Sequence, residues 1–269
     1  MSQSVEGRAR TAKGRGLRFL FRPLRSALCA LLLSAGAAAA QEVATAVVPV
    51  VGSVFGATMI HWKTDVEIVN DTGRDTDVAL ELPSAPDQPL MLLTLAAGQS
   101  QRFTDIAAQA FGRDHVLSPL RVTTAGRRSV TVRASVYAMR DDGSFLSAPQ
   151  PLGVYVGPSY HPTRVLDGLA FSDEYRTNIG LVNFGERDAD FLLALQRLPG
   201  RTLAMTPVRV GAGGIAHMSI QSLFPLITDG SGFSIVVETL ASETYVYASV
   251  IESSEHAGRF VAPRIGPAR

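Results

Sequence analysis

The acidic segment at residues 70–77 carries the residue types of an enzyme site. Asp71, Thr72 and Gly73 spell the triplet of aspartic proteases, in which two aspartates share one proton across a two-lobed cleft. An enzyme of this kind built by duplication would carry the triplet twice, and this chain carries it once. Asn, Asp and Gly tolerate left-handed backbone or bond their own main chain, so we predict that residues 70–76, and likewise residues 183–189, form the turn of a hairpin.

Carboxylates in the same segment could also serve as ligands for calcium, which takes several oxygen atoms. The candidates, including those of a related later segment, are Asp71, Asp75, Asp77, Asp188 and Asp190. Their spacing departs from the D-x-[DN]-x-[DN]-G loop, and Arg74 and Arg187 compete for the carboxylates. We therefore predict surface turns with local charge pairs, with calcium binding as the alternative.

Residue patterns of other enzyme and metal sites are incomplete. The five histidines are far apart in sequence, and no pair has the i, i+2 or i, i+4 spacing of a zinc site. Ser53 in Gly52–Gly56 is one place early for the nucleophile elbow of hydrolases, and the glycines at 211–214 lack dinucleotide-binding spacing. The sequence predicts no catalytic residue, no resident metal and no cofactor.

A duplicated stretch organises the chain. Residues 62–78 recur 113 positions later as residues 175–191, with six identities in 17 positions. The identical pairs are Thr64/Thr177, Val69/Val182, Asn70/Asn183, Arg74/Arg187, Asp75/Asp188 and Asp77/Asp190. We infer a duplicated module, which defines architecture and leaves the chemistry open.

Polar residues shared by the two copies are the best candidates for a common role. They are Thr64, Asp65 and Asn70 in the first copy and Thr177, Asn178 and Asn183 in the second. A binding site rarely needs to be built twice in one module. We therefore predict that these side chains fix strand ends and turns through hydrogen bonds.

Tyr245 and Tyr247 differ from their counterparts Thr131 and Arg133, so they are particular to the second copy. Alternate residues of a strand point to the same face, with roughly 7 Å between them. Two exposed rings at this spacing could stack on a sugar or a peptide. A buried contact between the two modules is the favoured interpretation, and ligand binding by this pair stays open.

The remaining pattern predicts an all-β protein. Apolar residues alternate along 62–68 and 175–181, turns rich in Gly, Asn and Asp recur, and 103–111 and 218–224 show helical spacing after Thr or Ser. We predict two tandem immunoglobulin-like antiparallel β-sandwiches, each with one short crossover helix. An apolar run at 47–55, broken by Pro49, is predicted to be an edge strand.

The repeated motif resembles a known kind of module. The stretches W-K-T-D-V-E-I-V-N and Y-R-T-N-I-G-L-V-N are similar to a repeated β-sandwich module of bacterial secreted and surface proteins of unassigned function. This resemblance covers nearly all of residues 47–263. It implies an accessory role in adhesion, display or spacing, and it implies no catalytic residue.

Residues 1–40 are predicted to be a signal peptide that is cleaved after Ala40. They combine a basic segment, a short apolar run and an A-x-A signal, and Leu28 before Cys29 argues against lipid anchoring.

Removal of residues 1–40 changes the charge of the chain. These residues hold seven of the 25 basic and one of the 24 acidic residues, which leaves 18 basic and 23 acidic ones and a net charge near −5. Since Cys29 is the only cysteine, the exported chain would have no disulfide. We expect no nucleic-acid partner and no membrane span.

These observations predict the domain organisation and a general role. The expected order is a signal peptide at 1–40, module 1 at 41–147, a proline-rich linker or edge strand at 148–163, module 2 at 164–263 and a tail at 264–269. The predicted protein is non-enzymatic, periplasmic or extracellular, and serves in binding, adhesion or structure with a protein or cell-envelope glycan as partner. The alternatives are a carbohydrate-binding module using Tyr245 and Tyr247, and a hydrolase with carboxylates such as Asp167, Asp173 and Glu174 between the modules.

Overall fold

The computed structural model describes residues 43–55, 60–126, 130–156, 162–197, 200–252 and 257–266. The predicted signal peptide and its cleavage position lie outside these residues. The described part is mostly β, in several antiparallel sheets with two short helices. No helix in it has the length and apolar character needed to cross a membrane.

We call residues 43–156 the first repeat and residues 162–266 the second repeat. The strands of the first repeat are β1 Val43–Phe55, β2 His61–Val69, β3 Thr76–Glu81, β4 Met91–Leu95, β5 Ser100–Phe103, β6 Val116–Ala125, β7 Thr131–Met139, β8 Gln150–Leu152 and β9 Tyr155–Val156. Helix α1 spans Ile106–Phe111. The strands of the second repeat are β10 Thr163–Phe171, β11 Tyr175–Asn183, β12 Ala189–Arg197, β13 Arg201–Val210, β14 Ile215–Ser219, β15 Gly230–Thr239, β16 Thr244–Glu252, β17 Ala257–Val261 and β18 Arg264–Ile265. Helix α2 spans Ile220–Leu223.

Strand pairing follows one pattern in both repeats. In the second repeat a five-stranded sheet has the order β13-β12-β15-β10-β18, and a four-stranded sheet has the order β14-β11-β16-β17. The first repeat pairs its strands as β4-β3-β6-β1-β9 and β5-β2-β7-β8. There the end of β1 also pairs with β2 and joins the two sets into one nine-stranded sheet. The duplication in sequence is therefore a duplication of topology.

Strand β1 lies inside its sheet, so the prediction of an edge strand at 47–55 was wrong. It pairs with β6, β2 and β9, and its central residues are buried. The register with β6 shifts between Val48 and Val51, which is where Pro49 lies. A bulge removes the ladder hydrogen bond that proline cannot donate, so Pro49 is tolerated in a central strand.

The segments after β2 and β11 are corners between sheets and not hairpin turns. Strand β2 pairs with β1, β5 and β7, whereas β3 pairs with β4 and β6. The buried amide of Asn70 donates to the carbonyls of Arg74, Leu95 and Ala96. Asn183 makes the same bonds to Arg187, Val210 and Gly211. Each amide therefore bonds two other stretches of backbone and holds the chain at this corner, which the turn-forming composition did not reveal.

Both predicted helices are present, and each begins at a polar cap. The side chain of Asp105 accepts from the amide of Ala108 at the start of α1, one residue after the Thr104 expected from the pattern. The side chain of Ser219 accepts from the amide of Ser222 at the start of α2. Caps of this kind satisfy amides that a helix cannot bond internally.

Two large buried hydrophobic clusters fill the described part of the protein, beside two small ones. One is formed by the second repeat alone and includes Phe171, Phe191 and Phe233. The other is formed mainly by the first repeat, and it also contains Val182, Phe184, Tyr245 and Tyr247 from the second. Direct hydrogen bonds also join the repeats, and they run from Ser84 Oγ to the Gly213 carbonyl, from Arg121 to the Phe184 carbonyl and from the Phe260 amide to Gln150. The two repeats are therefore packed against each other.

Candidate functional site: a cavity between the two repeats

A glycine in the second repeat lets two rings meet on the face of its four-stranded sheet. Gly180 on β11 pairs with His217 on β14 and with Tyr247 on β16. The rings of His217 and Tyr247 stack with their centres 5.9 Å apart. A β-carbon built on Gly180 would lie 2.0 Å from Cε1 of Tyr247, which is a severe steric clash. The absence of a side chain at Gly180 is therefore what allows the tyrosine to lie flat on the sheet.

The same positions in the first repeat are charged. Glu67 takes the place of Gly180, and it pairs with Arg102 on β5 and Arg133 on β7. Arg133 binds Glu67 through a 3.0 Å ion pair, and both arginines are exposed. At these positions the first repeat carries charged side chains, whereas the second repeat has a glycine, an exposed histidine and a buried tyrosine that packs into the cluster of the first repeat.

A row of aromatic rings continues from this point into the contact between the repeats. The ring of Tyr247 stacks on Phe260 at 5.1 Å and on Tyr245 at 6.5 Å, and Tyr245 meets Tyr155 edge-on at 5.5 Å. Tyr245 and Tyr247 are 2% and 4% exposed. Burial raises the pKa of both hydroxyls above the ordinary value for tyrosine. These rings do not form an exposed platform for stacking a sugar.

Next to this row lies a cavity of about 230 Å³. From the second repeat it is lined by Arg176, Asn178, His217, Tyr247, Ser249, Ile251 and Phe260. From the first repeat it is lined by Val50, Gly52, Val54, Phe55, Trp62, Thr64, Leu117 and Val136. The wall is therefore mainly apolar and aromatic, with a few polar groups, which is the composition of small-molecule sites.

The polar groups of the cavity give it a positive character. Arg176 is exposed, and its Nε donates to Asn178 Oδ1 at 3.4 Å. Among the described residues Arg176 makes no ion pair, and none of those lining the cavity is acidic. His217 is exposed in part, and the protein atoms packed around it, followed by the charge of Arg176, lower its pKa.

A serine, a histidine and an aspartate meet on the first repeat near the cavity, in an arrangement unlike a hydrolase triad. Ser53 Oγ lies 2.9 Å from His61 Nε2 and donates to Asp105 Oδ2 at 3.2 Å. Here the serine bridges the other two, whereas a catalytic histidine would lie between serine and aspartate. Ser53 is fully buried, and Lys63 Nζ lies 3.2 Å from the same Asp105 oxygen. This cluster is a structural polar network that anchors α1.

Asp65 extends this network. Its carboxylate accepts from the backbone amide of Asp105 and from Arg102, each at 3.2 Å. Burial and then the negative charge of Asp65 raise the pKa of Tyr137 far above its ordinary value. Asp65 is buried, as are its neighbours Thr64 and Val66, although simple alternation along β2 would place it outward.

The other repeat-matched polar residues have separate positions. Thr64 accepts from the Gly52 amide at 3.1 Å and lines the cavity, whereas the hydroxyl of Thr177 donates to the Ala170 carbonyl. Asn178 lines the cavity, and Asn70 and Asn183 hold the two corners described above. Of the predicted binding pair, Tyr247 lines the cavity and Tyr245 lies behind it in the core.

The structure does not bring the candidate catalytic or metal-binding residues together. Asp167 is paired with Arg264, and Asp173 and Glu174 are exposed in the turn before β11. Asp71, Asp75 and Asp77 accept hydrogen bonds from Thr131, Ala97 and Thr94 in turn. No group of three or more potential His, Cys, Asp or Glu ligands occurs within the described ranges. Two of the five histidines, His161 and His256, lie outside those ranges.

A second, more open groove of about 470 Å³ lies on the five-stranded sheet of the second repeat. Its wall includes Leu192, Pro207 and Leu240, and its Asp190 carboxylate forms a two-bonded pair with Arg209. Because Asp190 is already paired and Leu240 is 88% exposed, this groove offers weaker recognition than the cavity between the repeats.

Sequence reasoning missed Arg176, His217, Trp62 and Gly180 as parts of one site. The signal available for Gly180 was its alignment with Glu67, because a charge replaced by glycine in one copy marks a face with a new neighbour. Trp62 and His217 belong to different repeats and come together only through the packing of the repeats.

No family model matches the chain, and no curated protein matches it. Among solved structures, a Bacteroides uniformis β-glucuronidase 2 covalently bound to cyclophellitol-6-carboxylate aziridine is 11% identical, with a TM-score of 0.17. Another structure of Bacteroides uniformis β-glucuronidase is 10% identical, also with a TM-score of 0.17. Each match covers 76% of this chain and 25% of the other. At this level the likeness supports no conclusion about function.

Proposed function

We propose that this protein is an exported, non-enzymatic binding protein in which two tandem β-sandwich modules enclose a small-molecule site. The modules are the two repeats, each with the same strand pairing and one short helix. Export is supported by the composition of residues 1–40, and the resemblance to modules of secreted and surface proteins favours the same setting. A protein or a cell-envelope glycan stays the macromolecular partner that the sequence predicts for the exported protein.

The observation that carries the proposal is the cavity of about 230 Å³ between the repeats. Its walls come from the two copies of the module, and the second copy has lost the charges that the first copy carries on the equivalent face. Because the site is mainly apolar with few polar groups, it can bind and orient a small molecule.

A screen of small metabolites by thermal unfolding tests this function. Ligands that bind only the folded protein raise the melting temperature. The variant Ser249→Trp places an indole into the cavity, since Ser249 lines it. We expect some compounds to stabilise the wild type and to lose this effect in Ser249→Trp.

The matched control is Leu240→Trp, which adds an indole in the open groove, where Leu240 is already exposed. It should respond to the same compounds as the wild type. If no compound stabilises the protein, or if Ser249→Trp responds as the wild type does, the proposed site is wrong.

A further inference from the structure

The size of the cavity limits the ligand to about one ring. An engineered apolar cavity of about 150 Å³ accommodates benzene, and drug-sized ligands occupy sites of about 300–1,000 Å³. At about 230 Å³ this cavity lies between these two cases. A single ring with one or two small substituents fills such a space.

The side chains that line the cavity favour a flat apolar ring over a polar ligand such as a sugar. Trp62, Tyr247 and Phe260 provide aromatic surfaces, and Val54, Val136 and Ile251 are among the aliphatic ones. Stacking of an apolar ring on such surfaces contributes beyond the burial of area alone. A sugar would bring a hydroxyl on nearly every carbon, and this lining has too few polar side chains to bond them all.

The positive charge of Arg176 favours an anionic ligand in the cavity. Arg176 presents a guanidinium that makes one long bond to Asn178 and no ion pair with any described residue. No acidic side chain is among the described residues of the lining. A guanidinium binds a carboxylate through two parallel hydrogen bonds, which gives orientation as well as affinity. Asn178 and Ser249 add an amide and a hydroxyl on the same wall.

We propose that the cavity binds a planar, single-ring organic anion, with its carboxylate on Arg176 and its ring against Trp62 and Tyr247. This inference rests on the proposed function and names the chemical class of its ligand. The ring lies inside the contact between the repeats, and the carboxylate points to the exposed guanidinium. Bound ligand therefore contacts both repeats at once.

Titration calorimetry with benzoate, benzamide and galacturonate tests the three parts of this inference. Benzoate carries the ring and the charge, benzamide carries the ring alone, and galacturonate carries the charge on a polar sugar. We expect benzoate to bind at least tenfold more tightly than either of the others. Equal binding of benzoate and benzamide would overturn the role of charge, and tighter binding of galacturonate would overturn the flat ring in favour of a sugar acid.

Substitutions of arginine test whether Arg176 is the group that binds the carboxylate. Arg176→Gln should weaken benzoate binding at least tenfold and leave benzamide unchanged, and Arg176→Lys should give an intermediate loss because a lysine has no planar fork. The control Arg201→Gln removes the same charge from an exposed position on β13 outside the cavity, and it should bind as the wild type does. If Arg176→Gln binds benzoate normally, the inference fails.

The failure of this inference can be distinguished from failure of the proposed function. If other compounds stabilise the wild type but not Ser249→Trp, while benzoate does not bind, the cavity is a binding site for another chemical class. If no compound binds, both proposals fail.

Discussion

Gly180 lies directly under the ring of Tyr247, because a β-carbon built on Gly180 would be 2.0 Å from Tyr247 Cε1 and 2.1 Å from Cζ. No side chain can be added without moving the ring, and the ring is held by Phe260 and by the packing of the first repeat. Tyr247 is one of the residues through which the second repeat packs against the first.

The variant Gly180→Ala should therefore destabilise the protein by about 2–3 kcal/mol, since overpacking in a filled core forces side chains off their preferred positions. The measurement is the free energy of unfolding in denaturant. The control Gly153→Ala meets no atom within 4 Å and should change little. The double variant Gly180→Ala/Tyr247→Ala has no clash, because the ring is absent. Its loss of unfolding free energy should therefore be smaller than the sum of the losses of the two single variants. Additive losses would show that the ring does not rest on Gly180.

The corner asparagines should be equally important in the two repeats. Asn70 and Asn183 are 0% and 1% exposed, and each amide donates to three carbonyls. Replacement by alanine leaves buried carbonyls without donors, and we expect each variant to lose about 2–3 kcal/mol of unfolding free energy. The control Gln221→Ala changes an exposed amide on α2 and should be nearly neutral. A loss below about 0.5 kcal/mol in either asparagine variant would contradict this account.

Asp105 combines three structural tasks that two substitutions separate. It caps α1, has a left-handed backbone with φ 60°, and accepts from Ser53 and Lys63. Asp105→Asn keeps the cap and tolerates this backbone but loses the charge, whereas Asp105→Ala loses all three. We expect alanine to cost about 2–4 kcal/mol and asparagine roughly half of that, measured by denaturant unfolding. Equal losses would assign the whole effect to the ion pair.

Stability should rise with pH in the range just below 6.5. Burial lowers the pKa of both His217 and His61 relative to their ordinary value of 6.5. In that range the unfolded chain binds more protons than the folded one, so raising the pH favours the folded state. The contribution of each histidine is fully recovered above 6.5 and decreases as the pH falls toward its folded pKa. His217→Gln should flatten the pH profile of the unfolding free energy, and an unchanged profile would contradict the lowered pKa.

Much of the fold follows from local pattern. Alternation correctly identified Val66 and Ile68 as buried positions of β2, whereas Asp65 on the opposite face is buried as well. The short helices followed from capping residues and apolar spacing. The position of Pro49 was misleading, because a bulge removes the usual restriction on proline in a central strand.

The site was less accessible to prediction, because it depends on how the repeats pack. Trp62 and Tyr247 are 185 residues apart and line one cavity. Sequence reasoning identified Tyr247 as particular to the second repeat, and the divergence of Glu67 and Gly180 carried the remaining information. Arg176 was aligned with Lys63, but Lys63 pairs with Asp105, while Arg176 lines the cavity. Only three-dimensional contacts separate these two roles.

The most direct test of the account is to locate a bound ligand by NMR, with benzoate as the first probe and the strongest compound of the screen as the second. Methyl-labelled protein should show nuclear Overhauser effects from the ligand ring to Val54 and Val136 of the first repeat and to the Tyr247 ring of the second. Contacts to both repeats are the predicted result. Contacts confined to one repeat, or to Leu192 and Leu240 of the open groove, would contradict a binding site between the two copies.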